Sequence, residues 1–273
     1  MGKTKIEWTD RTWNPVTGCS KISAGCANCY AERMAKRLHG RHGYDDKDPF
    51  KITLHGNRFL QPLDWKKPSM IFVCSMGDLF HDDVPSDTIQ EIFQIAVHAS
   101  TKYGHIFMFL TKRAMRMKRE TNFFANRMFP DTRMMIRDIW MGVTAEDNQQ
   151  AYNRIPHLVE TQAITKFVSV EPMLEAVQVH PWLMKSCKGG IDWVICGCES
   201  GPGHRQTHHA WVENLLDQCR NNLTPFFLKQ LYAFGQFEKM PLFMGKKWDQ
   251  YPYYWEKTRR NHGTNKRSET SIL

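Results

Sequence analysis

From residue 70 onward the chain alternates short apolar runs with amphipathic segments, and this alternation restricts the possible folds more than any other feature. Met70 to Ser75 (MIFVCS) is a continuous apolar run. Ser86, a residue suited to capping, opens a predicted helix to about Tyr103 in which Ile89, Phe93, Ala96 and Val97 turn inward. His105 to Leu110, Ile139 to Val143, Lys166 to Val170, Trp193 to Cys196 and Pro225 to Leu228 read as further strands. Between them fall helices from about Arg113, near Asn148, and over about His209 to Asn221. Runs apolar on both faces suit parallel strands covered by helices. Adding Lys5 to Thr9 as a first strand gives seven candidates, so the predicted class is α/β, a partial or complete (β/α) TIM-type barrel. An open doubly wound sheet satisfies the same periodicity.

A length of 273 residues suits one main domain, assigned to 1–236, with an aromatic and basic extension over 237–273. In that extension Trp248, Tyr251, Tyr253, Tyr254 and Trp255 are expected to dock on the domain or stack on bases, with a mobile end after Glu256. The start carries no apolar signal core, and no run approaches a membrane span, so a cytoplasmic protein with no membrane association is expected. Eight cysteines are too sparse for a disulfide scaffold, which directs attention to their clustering. The net charge of +9 suits a polyanionic partner, nucleic acid or a nucleotide.

Three of the cysteines fall in one turn-rich loop, residues 11–30 (RTWNPVTGCSKISAGCANCY), as C-x6-C-x2-C at Cys19, Cys26 and Cys29. Thiolates this close together are metal ligands by type, and three of them leave one coordination position open. Structural zinc with His39 and His42 is the competing reading, although those spacings are shorter than a zinc finger uses, and a finger leaves Cys19 unexplained. Ala31 to Leu38 then reads as a helix, and Lys51 to Leu54 as a short strand. Polar residues follow nearly every predicted strand: Asp78, Lys112 with Arg113, Thr144 with Glu146, Glu171, Glu199 and Lys229. In a parallel barrel they would meet the cysteine loop at one mouth. By strand alternation Cys196 and Cys198 share a face, and Cys198, nearer the strand end, is expected to open into that mouth.

Several motifs carry a family resemblance. Ile6-Glu7-Trp8-Thr9, Thr12 to Cys19 (TWNPVTGC), Lys21-Ile22-Ser23, Gly25-Cys26 and Asn28 to Glu32 (NCYAE) resemble the phage-associated three-cysteine-motif family, an uncharacterised group placed with the radical S-adenosylmethionine (SAM) enzymes. Asp78 to His81, Leu110 to Arg113, Gly142 to Thr144, Ser169 to Pro172 and Glu199 to Gly203 resemble it too. The resemblance spans most of residues 5–235. It implies a [4Fe–4S] cluster on Cys19, Cys26 and Cys29 whose open iron chelates SAM. Reductive cleavage by an external electron donor would give a 5′-deoxyadenosyl radical. Cofactor binding is expected at Ser75, Gly77, Asp78, Arg113, Thr144 and Glu171, and substrate chemistry at Lys112, Glu199 and Cys198, the last at a position where the resemblance would place Gly. The substrate would be a nucleotide or nucleic acid, modified or repaired in the host-cell cytoplasm if the protein is phage-encoded. A non-enzymatic zinc- or iron–sulfur-containing nucleic-acid-binding protein is the other class consistent with the chain.

Overall fold

A computed structural model describes residues 4–184, 189–233 and 236–252. In chain order its elements are β1 (Arg11–Trp13), β2 (Val16–Thr17), α1 (Tyr30–Arg37), β3 (Thr53–Leu54), α2 (Gln61–Asp64), β4 (Met70–Val73), α3 (Ser86–Tyr103), β5 (Ile106–Thr111), α4 (Ala114–Met128), β6 (Ile139–Thr144), α5 (Asn148–Val159), β7 (Thr165–Val170), α6 (His180–Leu183), β8 (Trp193–Gly197), α7 (His209–Asn221), β9 (Phe226–Ala233) and β10 (Gln236–Lys239). Eight strands form one sheet in the order β1-β4-β5-β6-β7-β8-β9-β10, parallel throughout except for β10, which runs antiparallel to β9. The sheet curls into a half-barrel with helices on its outer face.

Alternation sorts each strand's side chains between two cores. On the outer face Ile71, Val73, Phe107, Phe109, Met141, Val143, Val168 and Val194 pack under Ile89, Phe93, Ala96, Met117, Ile155 and Leu216 of the helices. A second core of Trp8, Met70, Met108, Trp140, Phe167, Trp193, Ile195 and Phe227 fills the concave side. Trp193 stands at its centre, with ring centroids of Trp140, Phe167, Phe227 and Tyr251 within 5.2 to 6.1 Å. This aromatic plug closes the lower part of the arc and leaves chemistry to the strand ends.

Two local expectations need correction. The first strand is Arg11–Trp13 rather than Lys5 to Thr9. The Thr9 hydroxyl donates to the carbonyls of Arg11 and Met70, and Asp10 exchanges bonds with Met70, so 4–10 folds as turns that swing Trp8 into the concave core. Ser86 begins α3 but does not cap it; its hydroxyl donates to Glu120 instead, at 2.9 Å. At its other end α3 stops at Gly104, whose φ of +69° suits the left-handed position after a helix.

Beyond residue 236 the chain continues the sheet through β10, and Phe243 and Trp248 join the outer core. Tyr251 stacks on Trp193 at 5.2 Å. Tyr253, Tyr254, Trp255 and the basic end lie outside the described residues. Among those described, no helix is long and apolar enough to cross a membrane.

Candidate functional site: the cysteine loop at the strand ends

Backbone contacts seat the loop before any side chain acts. β2 pairs with β3, and Gly18 then turns at φ +93°, donates to the Met76 carbonyl at 3.0 Å and lies so close to Lys51 that a Cβ would fall 2.0 Å from its carbonyl oxygen. Only glycine fits there. Cys19 follows, donating its N–H to Phe50. Cys26 ends a short 3-10 helix, Ala24–Cys26, and Cys29 is the residue before α1. All three thiols are half-buried.

Three carboxylates from the ends of three strands then hold the loop. After β4, Asp78 accepts from Thr111 Oγ1 at 2.8 and 2.9 Å, from Phe80 N–H at 3.0 Å and from Arg113 at 3.0 Å. Arg113, just past β5, also donates to Cys19 Sγ at 3.4 Å and to Ser20 Oγ at 2.8 Å. Glu146, past β6 and fully buried, accepts from Ser23 Oγ, from Gly25 N–H at 3.3 Å and from Arg154 at 2.7 Å. Gly25 permits that approach, since a Cβ would meet the Glu146 carboxyl carbon at 2.8 Å. Glu199, past β8, accepts from Asn28 Nδ2 at 2.9 Å and pairs with Arg205, whose guanidinium reaches the Ala24 carbonyl at 2.8 Å.

Electrostatics differ from thiol to thiol. Burial and the nearby Asp78 push Cys19 up to about 11 against the opposing pull of Arg113. At Cys26 burial works in the same direction but is outweighed by a hydrogen bond from the Ile22 backbone, the charge of Lys112 and hydrogen bonding from Ser23, so its pKa is lowered. Burial also works against ionised Glu146, and Lys112, Arg154 and Ser23 outweigh it. Lys112 itself makes no hydrogen bond or ion pair among the described residues.

The other predicted site residues divide into two groups. Ser75 donates to Asn14 Oδ1 at 3.2 Å and Gly77 bridges to Gly18, so both support the loop from below. Thr144 is buried and its carbonyl accepts from Arg154. Glu171 pairs with Lys229 at 2.5 Å, and no described contact joins it to the loop. Cys198 departs from expectation. It does share a cluster with Cys196, but that cluster is the helix-facing core, and Cys198 is 1% exposed with burial pushing its thiol up to about 12. The shared face is there, but it is the one on which Val194 packs under the helices, while Trp193 and Ile195 take the concave side. Arg154, Arg205, Ser20 and His81 were not anticipated. Glu146 appeared in sequence only beside Thr144.

Among the described residues, no three His, Cys, Asp or Glu side chains are disposed to hold a metal ion together. By donor chemistry the loop nonetheless suits a thiophilic metal or cluster: three thiols, one with lowered pKa and one facing a guanidinium.

The family described as protein of unknown function (DUF5131) matches residues 3–267. The chain belongs to that family. The matched span takes in every strand of the half-barrel and the whole cysteine loop. No curated protein and no solved structure matches the chain.

Proposed function

We propose that this protein is a radical SAM-like iron–sulfur enzyme acting on a nucleotide or nucleic-acid substrate. The observation that carries the reading is the seating of Cys19, Cys26 and Cys29 on the C-terminal ends of parallel strands, held there by Asp78, Glu146 and Glu199. Strand ends of that polarity are where parallel α/β folds build active sites. When bound, a [4Fe–4S] cluster on these thiolates with SAM at its open iron supplies reductive cleavage of SAM to methionine and a 5′-deoxyadenosyl radical, given an external electron donor.

The protein's own groups then position and neutralise. Arg113, itself fixed by Asp78, offsets the charge of the Cys19 thiolate. Asp78 acts chiefly through Arg113, because Thr111, Phe80 and Arg113 already occupy its carboxylate. Lys112, whose charge also acts on Cys26 and Glu146, makes no direct ion pair among the described residues and is offered to a carboxylate or phosphate. The second carboxylate oxygen of Glu171 has no described partner and is the acceptor available to a ribose hydroxyl.

Anaerobic reconstitution with iron and sulfide tests the proposal. A brown protein that releases 5′-deoxyadenosine from SAM after reduction is the expected result. A colourless protein retaining one zinc would replace it with the non-enzymatic nucleic-acid-binding reading.

A further inference from the structure

One strongly charged feature lies beside the loop and shares Arg113 and Arg154 with the network that holds it. Between α4 and α5, reaching Ile22 of the loop, is a cleft of about 500 Å³ whose lining includes Lys112, Arg116, Arg119, Arg154 and His157, against the exposed Asp82. Several of these cations are fixed without being cancelled. Arg116 donates to the carbonyls of His81 and Val84, which orient a guanidinium but leave its charge intact. One buried carboxylate, Glu120, serves both Arg116 at 3.9 Å and Arg119 at 3.0 Å. Arg119 remains 68% exposed, and Lys112, whose charge acts on Glu146 and Cys26, makes no hydrogen bond or direct ion pair among the described residues.

A further set of donors meets the same space. α4 starts with no side-chain cap, and its first residues, Ala114 and Met115, line the cleft, so its unpaired N–H groups add positive potential. Donors without acceptors, arranged around guanidinium and ammonium groups, match the oxygens of a phosphate ester. Lys112 lies before α4, and Arg119 lies five residues beyond its first residue, Ala114, roughly 7.5 Å along the helix axis, so the cations are spread along the wall of the cleft. Met115, 68% exposed, adds apolar surface for a sugar or base.

We propose that this cleft seats successive phosphates of a nucleic-acid strand, with Lys112 and Arg119 reaching their oxygens and Arg116 supplying a fixed positive field. The proposal rests on the substrate class given under Proposed function and not on the radical chemistry.

Fluorescence anisotropy with labelled single-stranded DNA and RNA oligonucleotides tests it on the full chain, across a salt series. Lys112→Gln with Arg119→Gln should raise Kd about tenfold and make the slope of log Kd against log salt shallower by about two, one for each phosphate no longer neutralised. Arg119→Glu alone, at an exposed side chain whose change cannot empty the core, should weaken binding at least as much as Arg119→Gln. Lys102→Gln, in the last turn of α3, should change neither Kd nor slope. An unaltered Kd and slope in the double variant overturns the proposal, and so does a nucleoside monophosphate that competes as strongly as the oligonucleotide. A protein that cleaves SAM but binds oligonucleotides independently of Lys112 and Arg119 loses this assignment alone. One that binds through them yet cleaves no SAM loses the radical reading alone.

Discussion

Asn28 donates through Nδ2 to Glu199 Oε2 at 2.9 Å, tying the residue before the third cysteine to the residue that follows β8 by two positions. The same amide donates to the Gly203 carbonyl at 3.0 Å. The amide thus staples the loop to a strand end.

Asn28→Ala removes that staple. The lost bond to a charged acceptor should cost about 1.5–3 kcal/mol, confined to the loop. Faster proteolytic cleavage between residues 19 and 29, with a nearly unchanged global Tm, is the expected outcome. Equal cleavage rates in variant and wild type would mean that Arg205 alone holds Glu199 to the loop.

The three cysteines should behave as one set. Cys19→Ala, Cys26→Ala and Cys29→Ala should each lower iron content after reconstitution and abolish the visible absorbance of the cluster. Iron and sulfide analysis checks this; full retention of the cluster by Cys19→Ala, with metal lost instead in His39→Ala, would return the loop to a zinc site.

Glu146 and Arg154 form a buried ion pair at 2.7 Å, with exposures of 0% and 6%. Glu146→Ala strands the guanidinium and should destabilise the fold by about 3–5 kcal/mol. The double variant with Arg154→Met should recover part of that loss, because the unpaired charge goes with it. Denaturant titration of the three variants gives the coupling energy. Additive losses would show that the two side chains act independently.

Stability should fall in acid in two stages. Burial, with the charge of Arg58 added, lowers His55 from 6.5 to about 4, and burial lowers His81 and His105 in the same direction. A histidine whose folded pKa is depressed contributes stability that is present above its unfolded pKa and lost as pH falls through the window below it. Unfolding free energy should therefore drop between about pH 6.5 and 4, and His55→Gln should flatten that slope. Glu199 is opposed by burial but held low by the Arg205 side chain and backbone and by Asn28. Its contribution should survive that window and disappear only as pH falls through its own depressed pKa. A stability curve that is flat from neutral to pH 4 would contradict the first stage.

Much of the fold was legible in the sequence because its strands are buried on both faces. The continuous apolar runs at Met70, Ile106, Ile139 and Trp193 left little choice, and α7 falls at His209–Asn221 as read from its periodicity. KIEWT misled because its alternation is genuine, yet Trp8 is drawn into the concave plug and the Thr9 hydroxyl is spent on the neighbouring backbone. The convergence of strand-end residues on the loop was visible as a recurrence, but their partners were not. Gly25 meets Glu146 across 121 residues and Asn28 meets Glu199 across 171, separations that no local spacing reports. Cys198 misled for a smaller reason: it does share a face with Cys196, but that face of β8 turns to the helices.

The sheet has two free margins, β1 and β10, and the turn before β1 spans the interval between them. Lys239 of β10 meets Glu7 at 2.6 Å and the Lys5 carbonyl at 3.3 Å, with the lysine half-exposed. A closed barrel has its bore set by strand number and stagger. Among the described residues the circumference is fastened there by a solvent-accessible ion pair, of a kind that salt weakens, and by Ile6, Trp8 and Met240 in the concave core. Widening the arc at that seam would break no rung of its hydrogen-bonded ladder, and its cost falls instead on drawing Trp8 away from Trp193.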